Sequence, residues 1–330
     1  MKYQDLKISI VAPMYNEEAV IASFIDKTIN VMQSIFKDYE LILIDDGSID
    51  NTLNICSKYL ENNKSIRLIS FSRNYGHEIA STAGLEHAVG DYVILMDSDL
   101  QHPPEIIPEM LEKALEGFDV VCAKRLNRDD ESWFKRTMAK VFYKISCKMT
   151  GFDLNADIGN FRLLSRRVVA SINKMKESNR HLIMMFAYVG FKTANIAYHC
   201  PERFAGASKY NLRKLISLSL DSIIGFSSRP LRLMSVFSVM ISIVMMVYAG
   251  FILIQKLFTH QQLADGIASV IFLISGLFSV LFLFLAVISE YISRILIETK
   301  NRPLYNVKHD LHHQSLQHTD LHNKNGSYSS

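Results

Sequence analysis

Five short apolar runs, each but the last followed by a stretch of helical length, fill the first 125 residues and constrain the fold more than anything else in the chain. The runs are 7–13 (KISIVAP), 40–45 (ELILID), 66–71 (IRLISF), 91–96 (DYVILM) and 118–123 (FDVVCA). Residues 16–36, 50–61, 77–89 and 104–116 lie between them and read as helices. Strands this continuously apolar need cover on both faces, and alternating helices provide it. The pattern predicts an α/β domain with a doubly wound, mainly parallel sheet. Its ligands should gather at the carboxyl ends of the strands.

The domain is expected to run over residues 1–210. Its later part is less regular, with a helix candidate at 132–149, a loop around 153–159 and a strand–helix–strand pattern up to His199. Residues 211–228 (NLRKLISLSLDSIIGFSS) carry apolar side chains at helical spacing with few charges. This predicts an amphipathic helix over 211–230 in the membrane interface, with a packed domain helix as the alternative.

Two stretches, 233–255 and 266–289, contain no charge over 23 and 24 residues. At about 1.5 Å per residue, each exceeds the roughly 30 Å hydrocarbon core. A single central lysine would cost about 3 kcal/mol there, so two transmembrane helices within 231–297 are predicted. Arg229 and Arg232 precede the first stretch, and Arg294, Lys300 and Arg302 follow the uncharged part of the second. The connecting loop holds only Lys256 against Asp265. The positive-inside rule then places the α/β domain and both termini in the cytoplasm, at the inner membrane. No apolar run of signal-peptide length precedes the first turn residues, so no cleaved leader is expected. The tail, 298–330, turns polar and His-rich after Val307 and is expected to be disordered toward its end.

A net charge of +3 is too mild to suggest a nucleic-acid partner. The four cysteines, Cys56, Cys122, Cys147 and Cys200, share no metal-ligand spacing and read as reduced thiols. No Gly-x-x-x-x-Gly-Lys loop or Gly-x-Gly-x-x-Gly fingerprint occurs, which disfavours P-loop and dinucleotide chemistry. With no charge or proline in the spans, a transport pathway is not expected. Gly250 and Gly276 form no small-residue pair, and the oligomeric state stays open between monomer and homo-oligomer.

Three strand ends carry acidic or turn-forming clusters: Pro13-Met-Tyr-Asn-Glu17, Asp45-Asp46-Gly-Ser48 and Asp97-Ser-Asp99-Leu-Gln101. In a parallel sheet these ends converge on one crevice. Taken alone, Asp-Asp-Gly-Ser reads equally as a turn whose Asp50 caps the next helix. Asp97 and Asp99 say more, because like charges one residue apart are costly without a cation. Hard oxygen ligands of this kind suit Mg²⁺ or Mn²⁺ held jointly with a diphosphate.

The motifs PMYNEE, LIDDGSIDNT, SRNYGH, MDSDLQHPPEIIP, AKRLNR, DIGNFRLLSR, RFAGASKY and ISEYISRILIETKNRPLY follow one another from about Ile8 to Tyr305. In this order, and with two spans behind them, they resemble family 2 glycosyltransferases of the GT-A fold. The resemblance is to the polyprenyl-phosphate branch, which includes bactoprenol glucosyltransferases. It implies a donor pocket lined by Pro13, Tyr15, Glu17, Ile44, Asp46, Asp97, Ser98 and Arg125, with Arg203 and Lys209 closing over the diphosphate. Asp97, Asp99 and Gln101 are implied as metal ligands. Arg128, Arg136, Lys140 and Ser208 are implied at the acceptor phosphate, although a solvated helix face explains Arg136 and Lys140 equally well. Asp157 and Asp99 are the implied catalytic residues, Asp157 retaining a structural turn role as its alternative. Relatives carry a second acid where this chain has Asn160.

The implied substrates are a nucleotide sugar, with UDP-glucose or a related hexose donor foremost and aminoarabinose or mannose donors as rivals, and a polyprenyl phosphate. A phosphate monoester has a second pKa near 6, so the acceptor is largely dianionic at neutral pH and needs no strong base. Inverting in-line displacement follows, with catalysis resting on positioning and charge. A separate flippase would carry the product outward. The competing class is an inactive membrane scaffold, which the intact acidic pair disfavours.

Overall fold

The computed structural model describes residues 5–126, 147–151, 158–200, 229–259 and 266–312. Strand β1 (Lys7–Met14) leads into α1 (Ile21–Ile35), β2 (Asp38–Asp45) into α2 (Thr52–Asn62), and β3 (Ile66–Phe71) into α3 (His77–His87). Strand β4 (Tyr92–Leu95) is followed by a 3-10 turn (Pro104–Ile106), α4 (Ile107–Leu115) and β5 (Val120–Arg125). Then come β6 (Ile158–Ser165), α5 (Arg166–Asn173), α6 (Leu182–Val189) and β7 (Thr193–Tyr198). Two long helices, α7 (Arg229–Thr259) and α8 (Ile267–Thr299), precede a last strand, β8 (Val307–His312).

All eight strands form one sheet in the order β7-β5-β6-β4-β1-β2-β3-β8. The pairs β1–β2, β2–β3, β1–β4 and β5–β7 are parallel. The sheet is more mixed than the apolar runs alone predict. Strand β6 inserts antiparallel between β4 and β5, and β8 runs antiparallel to β3. One face carries α1, α2 and α4 on a core of Ile8, Ile10, Phe24, Leu41 and Leu68; the other carries α3, α5 and α6 on Val11, Ile42, Ile69 and Val93. Such two-sided cover is why the central strands read as unbroken apolar runs.

The predicted five strands and four helices of the first half all form, with ends shifted by a few residues; α1 starts at Ile21 because 15–20 form the loop that follows β1. Two expectations need correction. A second helix, α6, lies within what read as one strand–helix–strand unit, and the chain from Val307 is not irregular: residues 307–312 become an edge strand. The helix expected at 132–149 is described only at its end, where 147–150 are helical. The amphipathic segment 211–228 lies outside the described residues.

Helices α7 and α8 are 31 and 33 residues long. Gly276–Thr299 is long and apolar enough to cross a bilayer, with a mean hydropathy of 2.1; in α7 the apolar stretch is the shorter Leu231–Met245. Large apolar side chains on both helices, among them Val236, Val247, Phe282 and Leu283, are more than 60% exposed.

Close packing of α3 on β1 positions the helix whose first residue enters the crevice. A Cβ at Gly84 would overlap the Val11 side chain. Gly84→Ala should therefore destabilise the domain by about 1–3 kcal/mol, the usual range for overpacking, measured by chemical denaturation.

Candidate functional site

Where the strand order turns from β1–β2–β3 to β4, helices α1 and α2 go to one face and α3 to the other. The loops after β1, β2 and β4 part there and leave a crevice at their carboxyl ends, the usual ligand position in such sheets. Register brings the clusters together, since Met14 at the end of β1 pairs with Asp45 and Val11 with Leu95.

The first two loops are tied to each other. The backbone N–H of Asn16 donates to Ser48 Oγ at 2.9 Å, that of Ile49 to Asn16 Oδ1 at 2.9 Å, and that of Glu17 to Thr52 Oγ1 at 2.8 Å. Asn16 has a positive φ of 55°, a conformation asparagine tolerates better than most residues.

Asp45 and Asp46 divide their work. Asp45 is buried and accepts from the Ser48 N–H and the Ser70 hydroxyl, so it shapes the turn. Asp46 accepts the backbone N–H of Tyr75 at 2.6 Å and of Gly76 at 2.9 Å, one on each oxygen, and so holds loop 72–76 over the crevice. Burial raises its carboxyl above the ordinary value even though these two donors pull the other way. Gly47, at φ +70°, lies so close to the Arg73 backbone that any Cβ would collide with it.

At the end of β4, Asp97 is surrounded by cationic and N–H groups. His77, the first residue of α3, places Nε2 2.8 Å from Asp97 Oδ1. Buried His102 accepts the Asp97 N–H on Nδ1 at 2.8 Å, and its Nε2 lies 3.3 Å from Arg125 Nη2 and 3.8 Å from Asp97 Oδ2. Burial would raise the Asp97 carboxyl, but His102, His77 and Arg125 outweigh it and hold Asp97 well below the carboxylate range. Burial opposes charge on His77, yet Asp97 pushes it up to about 9. His102 is driven toward its neutral form by burial.

Behind this group, Arg125 Nε donates to the Tyr198 hydroxyl at 3.1 Å, and the His102 ring stacks on Phe161 at 4.8 Å. Thus β4, β5, β6 and β7 all brace one carboxylate. The Asp97–Gln101 loop is sharply turned, with Leu100 at φ 64° and the Gln101 N–H bonded to Asp99 Oδ1 at 3.1 Å.

Asp46, Asp97 and Arg125 thus gather around His77 and His102, with Asp99 and Gln101 on the loop after β4 and Tyr15 and Glu17 on the loop after β1. Others act from beneath. Ser98 is buried and donates to the Pro13 carbonyl at 3.1 Å, tying two strand ends together. The Ile44 side chain is wholly buried in the core under α3, a correction to its expected place in the pocket wall. Asp157, Arg128, Arg136, Lys140, Arg203, Ser208 and Lys209 lie outside the described residues. Asn160 is described, and its buried Oδ1 accepts no hydrogen bond from the described residues. His77, His102 and Tyr198 were not singled out from the sequence, although both histidines stand in motifs that flank the crevice.

A divalent cation fits this donor set only in part. Asp97 and Asp99 are hard carboxylates of the kind Mg²⁺ and Mn²⁺ prefer, and Asp97 is kept ionised. Among the described residues no three His, Cys, Asp or Glu side chains stand close enough to cage an ion, so the remaining ligands would come from bound substrate or water.

Replacing Asp46 with Asn would leave one backbone N–H facing an amide that cannot accept it. We expect Asp46→Asn to cost about 1–3 kcal/mol of stability in urea unfolding, the penalty for one unmet buried donor.

The Glycosyl transferase family 2 profile matches residues 9–172. An uncharacterized glycosyltransferase of Bacillus subtilis, YkcC, is 41% identical over 92% of this chain and 94% of its own. The bactoprenol glucosyl transferase of Shigella phage SfII is 38% identical over 92% of this chain and 98% of its own. A prophage bactoprenol glucosyl transferase homolog of Escherichia coli is 37% identical over 92% and 99%.

Proposed function

Starting from the fact that this chain belongs to glycosyl transferase family 2 and is a transferase, we propose that it moves a hexose from a nucleotide sugar onto a polyprenyl phosphate at the cytoplasmic face of the membrane. The observation that carries this reading is Asp97, contacted by His77 and His102, beside Asp99 at the switch point of the sheet, where a diphosphate and its cation would sit. The acceptor is drawn from relatives named bactoprenol glucosyl transferase, whose likeness extends over the long helices as well as the sheet domain.

Asp97, Asp99 and Gln101 would hold Mg²⁺ or Mn²⁺ together with the donor. The ion when bound supplies Lewis-acid neutralisation of charge on the leaving nucleoside diphosphate. Within the chain, Asp46 and loop 72–76 wall the nucleotide side with Pro13, Tyr15 and Glu17. Arg125, steadied by Tyr198, adds positive charge behind Asp97. Arg203 and Lys209 close over the diphosphate, and Arg128, Arg136, Lys140 and Ser208 receive the lipid phosphate. Asp157 orients that acceptor for attack from the face opposite the leaving group, inverting the anomeric centre. Because the acceptor is already anionic, positioning matters more than proton transfer. The donor is read as UDP-glucose or a close hexose relative; an aminoarabinose or mannose donor would use the same crevice.

Helices α7 and α8 are read as two spans that keep the crevice at the depth of a lipid headgroup. Arg229, Arg232 and Arg294 flank them on the cytoplasmic side and favour an anionic lipid. The spans anchor and do not transport, leaving outward movement of the product to a separate flippase.

Purified protein, undecaprenyl phosphate and a panel of labelled nucleotide sugars should yield one labelled lipid, formed only when a divalent cation is present. Asp99→Asn should lower the transfer rate at least about a hundredfold, the scale of losing one contact to developing charge, with the melting temperature unchanged. No labelled lipid from any donor, or labelling indifferent to chelation, would sink the proposal.

A further inference from the structure

The segment that leaves α8 returns to the sheet domain and ends against the loop that walls the nucleotide side of the crevice. Near the end of α8, Glu298 accepts the Ser178 N–H at 2.8 Å and the Ser178 hydroxyl at 3.0 Å. Tyr305 stacks on Phe71 with ring centroids 4.7 Å apart and donates its hydroxyl to Glu86 at 2.5 Å. Strand β8 then runs along β3, where Arg67 grips Asp310 with two bonds of 3.0 and 2.7 Å.

Between these anchors stands Asn306. Its carbonyl accepts the Ser72 N–H at 3.0 Å, and its side-chain N–H donates to the Tyr75 hydroxyl at 2.9 Å. Tyr75 also meets Ser72 Oγ at 3.2 Å, lies edge-on to Phe71 at 5.7 Å and carries the Arg73 guanidinium over its ring at 4.3 Å. The backbone N–H groups of Tyr75 and Gly76 are the two that Asp46 holds, and His77, the next residue, touches Asp97. A continuous set of contacts therefore links the chain beyond the second long helix to Asp46 and Asp97 of the crevice.

We propose that Asn306 is a positioning residue: through Tyr75 it fixes loop 72–77, so that the segment after α8 completes the nucleotide side of the site. The site's use for a nucleotide sugar rests on the proposed function, whereas the coupling of Asn306 to the loop stands apart from it. Asn306 touches no reacting atom; its effect passes through the Tyr75 hydroxyl to the backbone that Asp46 holds.

Two measurements on the full-length protein separate these levels. In hydrogen exchange without ligand, Asn306→Ala should speed exchange of the Tyr75 and Gly76 amides about two- to tenfold, the worth of one net hydrogen bond. Tyr75→Phe, which removes the hydroxyl that Asn306 reaches, should do the same, and the double variant should add little to either single one. In binding, the dissociation constant for UDP should rise by a similar factor in each variant, with the KM for undecaprenyl phosphate unchanged. Unaltered exchange at 75–76 in Asn306→Ala, or effects of the two substitutions that simply add, overturns the inference. Faster, non-additive exchange in a protein that binds no nucleotide even in its native form upholds the coupling and defeats the nucleotide-sugar reading.

Discussion

A carboxylate that stays charged while partly shielded from water, at the end of a buried parallel strand, sets the terms for everything around it. Burial alone would raise the Asp97 carboxyl. His102, His77 and Arg125, gathered around it, outweigh that penalty and hold the carboxyl low. Each of these groups is delivered by a different element: His77 by the opening of α3, His102 by the turn before α4, Arg125 by the end of β5. The sheet order, with α3 crossing behind β1 to start β4, is what lets elements distant in sequence supply one anion.

The same arrangement separates charge-bearing from shape-bearing acids. Asp45 and Asp46 are sequence neighbours, yet β-strand alternation sends Asp45 to the Ser70 hydroxyl and the turn, and Asp46 to the backbone of the facing loop. Ser98, between the two acids of the next cluster, is spent on the Pro13 carbonyl. A cluster that reads as a row of ligands thus resolves into alternating supports and ligands.

Much of this was legible in the residues. Strands such as ELILID and IRLISF, apolar on both faces, could only be central, and the convergence of three clusters at their ends followed from parallelism. What was not legible lay in direction and in isolated residues. The run NFRLLS of β6 mixes apolar with polar residues, and nothing in its composition tells an antiparallel insertion from a parallel one. Ile44 sits at the right sequence position for a pocket wall, but alternation turns it into the core under α3. His77 and His102 stand singly among polar neighbours, where a histidine carries no periodic signal. Strand β8 (VKHDLH) is mostly polar because it covers only an edge, and edge strands lack the apolar run that betrays central ones.

That edge strand has a consequence for how the protein is made. Asp310 meets Arg67 across 243 positions of sequence, and both long apolar helices are synthesised in between. A pairing so remote is formed late, after local contacts have organised the early strands. While translation continues, β3 is left as an open edge beside an unfinished crevice, and it is closed only once residue 312 has emerged and α7 and α8 have found their own environment. Completion of the sheet is thereby tied to the synthesis of both apolar helices: until residues 307–312 reach β3, that strand keeps a bare edge of the kind that templates aggregation.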